Sequence, residues 1–146
     1  MSPAICTYFD HRYLARALVL YESVKRHMPQ ASFHVLALSD ECVALLNHLQ
    51  LPDVRVLPLS QLERDLPELA EIKASRSIVE YYFTLSPVLP LYLYEQQRVQ
   101  GPLVYLDADA CVYQSFAQID ELREASAGIT PHRFPEEEAS ERAAAG

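Results

Sequence analysis

The sequence predicts an α/β fold, a mostly parallel sheet with helices on both faces. Short apolar runs alternate with segments whose apolar residues recur every three or four positions, the grammar of strands joined by right-handed helical crossovers. Leu103-Val104-Tyr105-Leu106 is apolar without interruption, as a strand covered on both faces is. A chain of 146 residues, 50% of them hydrophobic, is long enough to bury one sizeable core.

Pro3 to Tyr8 reads as the first strand. Asp10 then stands as N-cap of a helix from about His11 to His27, whose inward stripe is Leu14, Ala17, Leu18, Tyr21, Val24 and Met28. Lys25, Arg26 and His27 suit the negative end of that helix, and Pro29 closes it. Phe33 to Leu38 reads as the second strand, and Ser39-Asp40 as the cap of a shorter helix that turns Cys42, Leu45, Leu46 and Leu49 inward. Val54 to Leu57 makes a third strand, and Ser60 to Glu71 one or two helical turns near the surface.

From about Ser75 to Gln97 the spacing predicts a long buried helical segment, kinked or split at Pro87 and Pro90, because each proline removes a helix hydrogen bond. Gly101-Pro102 turns the chain into the 103–106 run, expected at the centre of the sheet, which leads directly into Asp107-Ala108-Asp109. Cys111-Val112-Tyr113 reads as a short strand, Ile119 to Glu124 as a helical turn and Ala127 to Thr130 as a further strand. Residues 1–134 are thus expected to form one domain. Residues 135–146, rich in Glu and Ala and poor in apolar bulk, are expected to be a tail or mobile loop.

Composition excludes several functions. Twelve Lys and Arg against twenty Asp and Glu give a net charge of -8, so no broad basic surface exists for nucleic acid or an anionic membrane. Only three glycines are present, too few in any window for a phosphate-binding loop or a G-x-G-x-x-G turn. The apolar stretch from Tyr81 to Tyr94 is shorter than the roughly 18 residues a membrane span needs and carries Thr84, Ser86 and two prolines. Cys6, Cys42 and Cys111 form no C-x-x-C pair and sit in or beside apolar runs, so reduced thiols in a cytoplasmic protein are the simpler reading. Neither a zinc spacing among the histidines nor a serine nucleophile elbow is present.

Asp107 and Asp109 are the sharpest chemical feature. Residues two apart on an extended chain share a face, and two carboxylates brought together are tolerated when a hard divalent cation lies between them. In open parallel sheets ligands bind beyond the carboxyl ends of strands, which is where this pair falls. Two acids on a solvated loop is the competing reading.

The string from Leu103 to Tyr113, LVYLDADACVY, resembles the Asp-x-Asp region of GT-A-fold glycosyltransferases, above all glycogenin-like and bacterial family-8-like enzymes. Cys6-Thr-Tyr-Phe-Asp10, followed by Tyr13, Ala17 to Leu20, Ser23 and His27, is similar to the first strand and helix of the same group. The resemblance runs from about Ala4 to Phe134 and corresponds to the Rossmann-like, nucleotide-binding N-terminal part of such an enzyme.

It implies a metal-dependent transferase, or the truncated donor-binding part of one. The donor would be a nucleotide-diphosphate sugar, UDP-linked, with Mn²⁺ or Mg²⁺ as cofactor and an acceptor the sequence does not name; a family-8-like enzyme would retain the anomeric configuration. Asp109 and Asp107 would hold the metal, with Asp107 also near the ribose, and Thr7, Tyr8 and Asp10 would line the uridine pocket. Asp10 departs from the pattern, in which the acid stands two residues before a Tyr, a position occupied here by His11; its role as helix cap stays open beside the pocket role. Tyr8 is equally open between packing and stacking on a base.

Arg76, or Lys73, would reach the diphosphate, a guanidinium being able to clamp phosphate oxygens bidentately, although both also read as solvated charges at a helix start. Glu80 has three readings: a cap, an i,i+4 partner for Arg76, or a sugar contact. His132 and Arg133 follow the last apparent strand, too early to match the family's metal-completing His.

Two other functions compete. A non-catalytic module would bind UDP-sugar alone or associate with another chain over the surface an acceptor half would cover. A haloacid-dehalogenase-type phosphatase would use Asp107 as phosphoryl acceptor and Asp109 as acid/base, but Ala110-Cys111 replaces that family's usual continuation.

Overall fold

The structure, a computed structural model, describes residues 3–116 and 125–129. Its strands are β1 (Ala4–Phe9), β2 (Ser32–Ala37), β3 (Val54–Pro58) and β4 (Leu103–Tyr105). Its helices are α1 (Leu14–His27), α2 (Asp40–Leu49), α3 (Leu59–Asp65), α4 (Glu68–Ser75) and α5 (Ile78–Glu95), with a 3₁₀ turn, His11–Tyr13, ahead of α1. The described strands form one sheet in the order β3-β2-β1-β4, every pairing parallel, so the protein is α/β with a Rossmann-like winding. The chain divides into two units, Met1–Phe116 and Ala117–Gly146, and the sheet belongs to the first.

Alternation along the strands feeds two cores. On one face Ile5, Phe9, Phe33, Val35 and Ala37 pack with Leu20, Tyr21 and Val24 of α1 and Cys42 and Leu46 of α2. On the other, Cys6, Leu36 and Leu57 meet Leu62, Leu69 and the buried face of α5: Tyr81, Leu85, Leu89, Tyr92 and Leu93. Side-chain bonds tie the connections down. Lys25 donates to Pro29 O, Ala31 O and Asp53 Oδ2, and Tyr21 donates to Pro52 O. The turn before β4 uses Gly101 at φ 85°, a left-handed value that glycine adopts without steric cost.

Several expectations need correction. The 103–106 run is not central: β4 lies at one end of the described strand order, beyond β1. Its apolarity has another cause, since Leu103 and Tyr105 pack with the α5 core while Val104 and Leu106 pack with the α1–α2 core, so helices cover both faces. The long helix is neither split nor ended at its prolines; α5 runs through Pro87 and Pro90, held by its packing on the sheet. In α2, Leu45 and Leu49 are exposed, and Val43 packs against the core with Cys42 and Leu46. Cys111-Val112-Tyr113 forms no strand, because the Val112 N–H donates to Ser23 Oγ on α1 instead of to a ladder.

In the second unit, residues 125–129 are exposed and carry no regular structure, so no strand covers Ala127, Gly128 or Ile129. Thr130, the expected turn at Ile119 to Glu124, His132, Arg133 and the expected tail lie outside the described residues.

Candidate functional site

The chain winds β1 to β2 to β3 in one direction and then returns across β1 to β4, so the topology reverses between β1 and β4. Ligands of parallel α/β sheets bind in the crevice outside the carboxyl ends of the strands at such a point. Here the crevice is bounded by Tyr8-Phe9-Asp10 at the end of β1 and by Tyr105-Leu106-Asp107 at the end of β4, held in register by the Cys6–Tyr105 pairing and by Leu106 N donating to Cys6 O at 3.0 Å.

Asp107 and Asp109 lie on a tight turn, not on extended chain: Ala110 N donates to Asp107 O at 3.0 Å. The turn is fixed from beneath. Ala108 and Val112 are buried in the α1–α2 core, and the Val112 N–H donates to Ser23 Oγ at 3.0 Å, whose own proton goes to Leu20 O at 2.7 Å. Both aspartates stay exposed above these anchors.

Among the described residues no group of three or more His, Cys, Asp or Glu gathers to hold a metal. Two exposed carboxylates fit Mn²⁺ or Mg²⁺ nonetheless, because these ions are commonly held by one or two carboxylates while substrate phosphates and water complete the octahedron.

Tyr105 sends its hydroxyl proton to Asp107 Oδ1 at 2.9 Å. Burial, with the adjacent Asp107 charge adding to it, pushes that hydroxyl above the ordinary tyrosine range, so it is a donor at neutral pH. Tyr8 stands beside it, ring centroids 5.9 Å apart and tilted by 34°, with its own hydroxyl 3.1 Å from Ser86 Oγ on α5. Tyr8 is half-buried and packs against the α5 core.

The other expected residues are placed differently. Thr7 points to the opposite sheet face from Tyr8, is fully buried, and its Oγ1 has no hydrogen-bond partner, so its side chain does not open onto the crevice. Asp10 is the cap it was expected to be: Oδ1 accepts from Arg12 N at 2.9 Å. Its other oxygen accepts from Arg12 Nε at 2.9 Å and Nη2 at 2.5 Å, and the guanidinium holds the Asp10 carboxyl below its usual range. The Asp10 side chain is 12% exposed against 75% for Arg12, so this wall presents the cation.

Arg76 has its hydrogen-bond partner on α5. Its Nη1 donates to Thr84 Oγ1 at 2.5 Å, and Thr84 and Ser86, two apart on α5, project about 160° from one another. Ser86 faces Tyr8, so the Thr84 that Arg76 bonds lies on a different side of the helix from the Tyr8 contact. Lys73 pairs with Glu63 at 2.8 Å and sits over the Tyr81 ring. Of the three readings for Glu80 the structure has the cap: Ser77 N and Ser77 Oγ both donate to Glu80 Oε2, which lowers the Glu80 pKa, and Glu80 N donates to Ser77 Oγ.

A separate open pocket of about 220 Å³ lies at the carboxyl ends of β2 and β3, lined by residues 37–40 and 58–60 with Val43, Glu63 and Lys73. The cysteines are free; burial pushes Cys6 up to about 12 and Cys42 up to about 11, so neither is a nucleophile.

Sequence reasoning passed over Tyr105, Ser86 and Arg12. Tyr105 was within reach of it, being two residues before Asp107 next to a strand. Ser86 carried no signal, since its partner is 78 residues away in sequence.

No family model matches the chain. Over 113 residues, 77% of its length, it is 23% identical to a protein of Bacillus subtilis (strain 168) named Uncharacterized protein YfnF. The match spans 37% of that protein, so the chain covers well under half the length of the curated relative it matches.

Proposed function

We propose that this chain is the donor-binding part of a metal-dependent glycosyltransferase that takes a nucleotide-diphosphate sugar, UDP-linked, with Mn²⁺ or Mg²⁺ as the cation. The observation that carries this reading is the exposed pair Asp107 and Asp109, on a turn pinned by two buried residues beside the reversal point of a parallel sheet.

In this reading Asp107 and Asp109 hold the cation through carboxylate oxygens and leave its remaining positions to the diphosphate and water. A divalent cation bound there would neutralise the charge that develops on the departing diphosphate. Tyr8 offers its exposed ring area to the base. Asp10 acts at one remove by gripping Arg12, whose guanidinium faces solvent at the same end of β1.

Calorimetric titration of UDP into the protein, with and without Mn²⁺, tests the reading. Metal-dependent binding that falls below detection in an Asp107→Ala/Asp109→Ala double variant is the expected result. A folded parent that binds no UDP under either condition sinks it. Trapping of a phospho-aspartate at Asp107 would instead favour phosphatase chemistry.

A further inference from the structure

An exposed carboxylate needs no protein partner, because water satisfies it, and a hydrogen bond to it adds little to folding stability. Asp107 has such a partner all the same: the Tyr105 hydroxyl, 2.9 Å from Oδ1. Tyr105 is itself set firmly. Its ring packs with the α5 core and lies 5.9 Å from the Tyr8 ring, whose own hydroxyl is held 3.1 Å from Ser86 Oγ on α5. Two half-buried rings and one helix hydroxyl thus fix the direction from which a single proton reaches Asp107. The effect on Asp107 is to restrict rotation of its carboxylate, leaving Oδ2 and the outer lone pair of Oδ1 on the side away from Tyr105.

We propose that Tyr105 is a positioning residue for the metal site: its hydroxyl orients the Asp107 carboxylate toward the divalent cation, and Tyr8, itself bonded to Ser86, packs beside the ring that carries that hydroxyl. This rests on the metal and nucleotide reading above. Ligating carboxylates are oriented by hydrogen bonds from behind, and losing such a partner weakens metal binding by about 10- to 100-fold.

The chain supplies its own control. Tyr92 donates to Asp65 Oδ2 at 2.5 Å, the same Tyr–Asp chemistry, but from α5 to the last residue of α3 and away from the aspartate turn. Mn²⁺ binding in the presence of UDP, followed by loss of the free-ion electron paramagnetic resonance signal, is compared in the parent, Tyr105→Phe, Tyr92→Phe and Asp107→Ala, with thermal unfolding recorded for each. Tyr105→Phe keeps the ring and removes one oxygen. It is expected to weaken Mn²⁺ roughly tenfold with its unfolding midpoint nearly unchanged. Tyr92→Phe is expected to do the reverse, lowering the midpoint and keeping the parent affinity.

Parent-like Mn²⁺ affinity in Tyr105→Phe, with binding lost in Asp107→Ala, overturns the positioning role and leaves the donor-site reading standing. Equal weakening in Tyr105→Phe and Tyr92→Phe also overturns it, since the effect would then be general loosening. A parent that binds no Mn²⁺ with UDP overturns both.

Discussion

Thr7 sits fully buried near the end of β1 with a hydroxyl that bonds to nothing. Leaving a buried donor and acceptor unpaired costs about 1–3 kcal/mol, and valine has the same shape without the oxygen. Thr7→Val is therefore expected to raise the free energy of unfolding by about 1 kcal/mol in urea titration and, under the donor-site proposal, to leave UDP binding as in the parent, because the side chain does not reach the crevice. At this scale the sequence was informative where chemistry is local. Asp107 and Asp109 stood out as two acids after an apolar strand, and Asp10 as a cap. The bond from Arg76 to Thr84 was not legible in the same way, because it joins residues eight apart across the start of a helix. Thr7 was not either, since the face on which a strand residue falls decides whether it meets ligand or core.

α5 carries the weight of the second core, and a capping box starts it: Ser77 and Glu80 each satisfy the other's backbone N–H. Ser77→Ala removes the side-chain acceptor and is expected to destabilise the protein by about 1 kcal/mol, read as a lower urea midpoint with an unchanged slope. The prolines of the same helix show where element-level reading stops. Pro87 and Pro90 withdraw the amide donors that the Phe83 and Ser86 carbonyls would use, which argues for a break when only local bonds are counted. Burial of Tyr81, Leu85, Leu89, Tyr92 and Leu93 against the sheet outweighs the two lost bonds. β4 was misplaced for a related reason. An unbroken apolar run reports cover on both faces, which helices supply at either end of a strand order as well as at its middle.

Across the whole molecule, the α/β class and the parallel winding follow from strand and helix periods alone, whereas the site depends on which strand ends the winding brings together. The folded state also imposes a pH dependence. His34 on β2 is buried among Cys6, Arg55 and the second core, and burial, followed by the Arg55 charge, lowers its pKa below 6.5. The unfolded chain takes up that proton first as pH falls, so stability contributed by neutral His34 is full above about pH 6.5 and is lost below it, by at most about 1.4 kcal/mol per pH unit down to the folded value. Urea unfolding between pH 7.5 and 5 is expected to show this slope in the parent and a reduced slope in His34→Gln.

The bond from Val112 N to Ser23 Oγ joins the aspartate turn to α1, the helix that starts where β1 ends. Both walls of the crevice are therefore fastened to one helix as well as to each other. A ligand bound there, as proposed above, would meet a preformed surface: the entropy of ordering the turn is spent in folding, and little of the binding free energy would go into arranging it again.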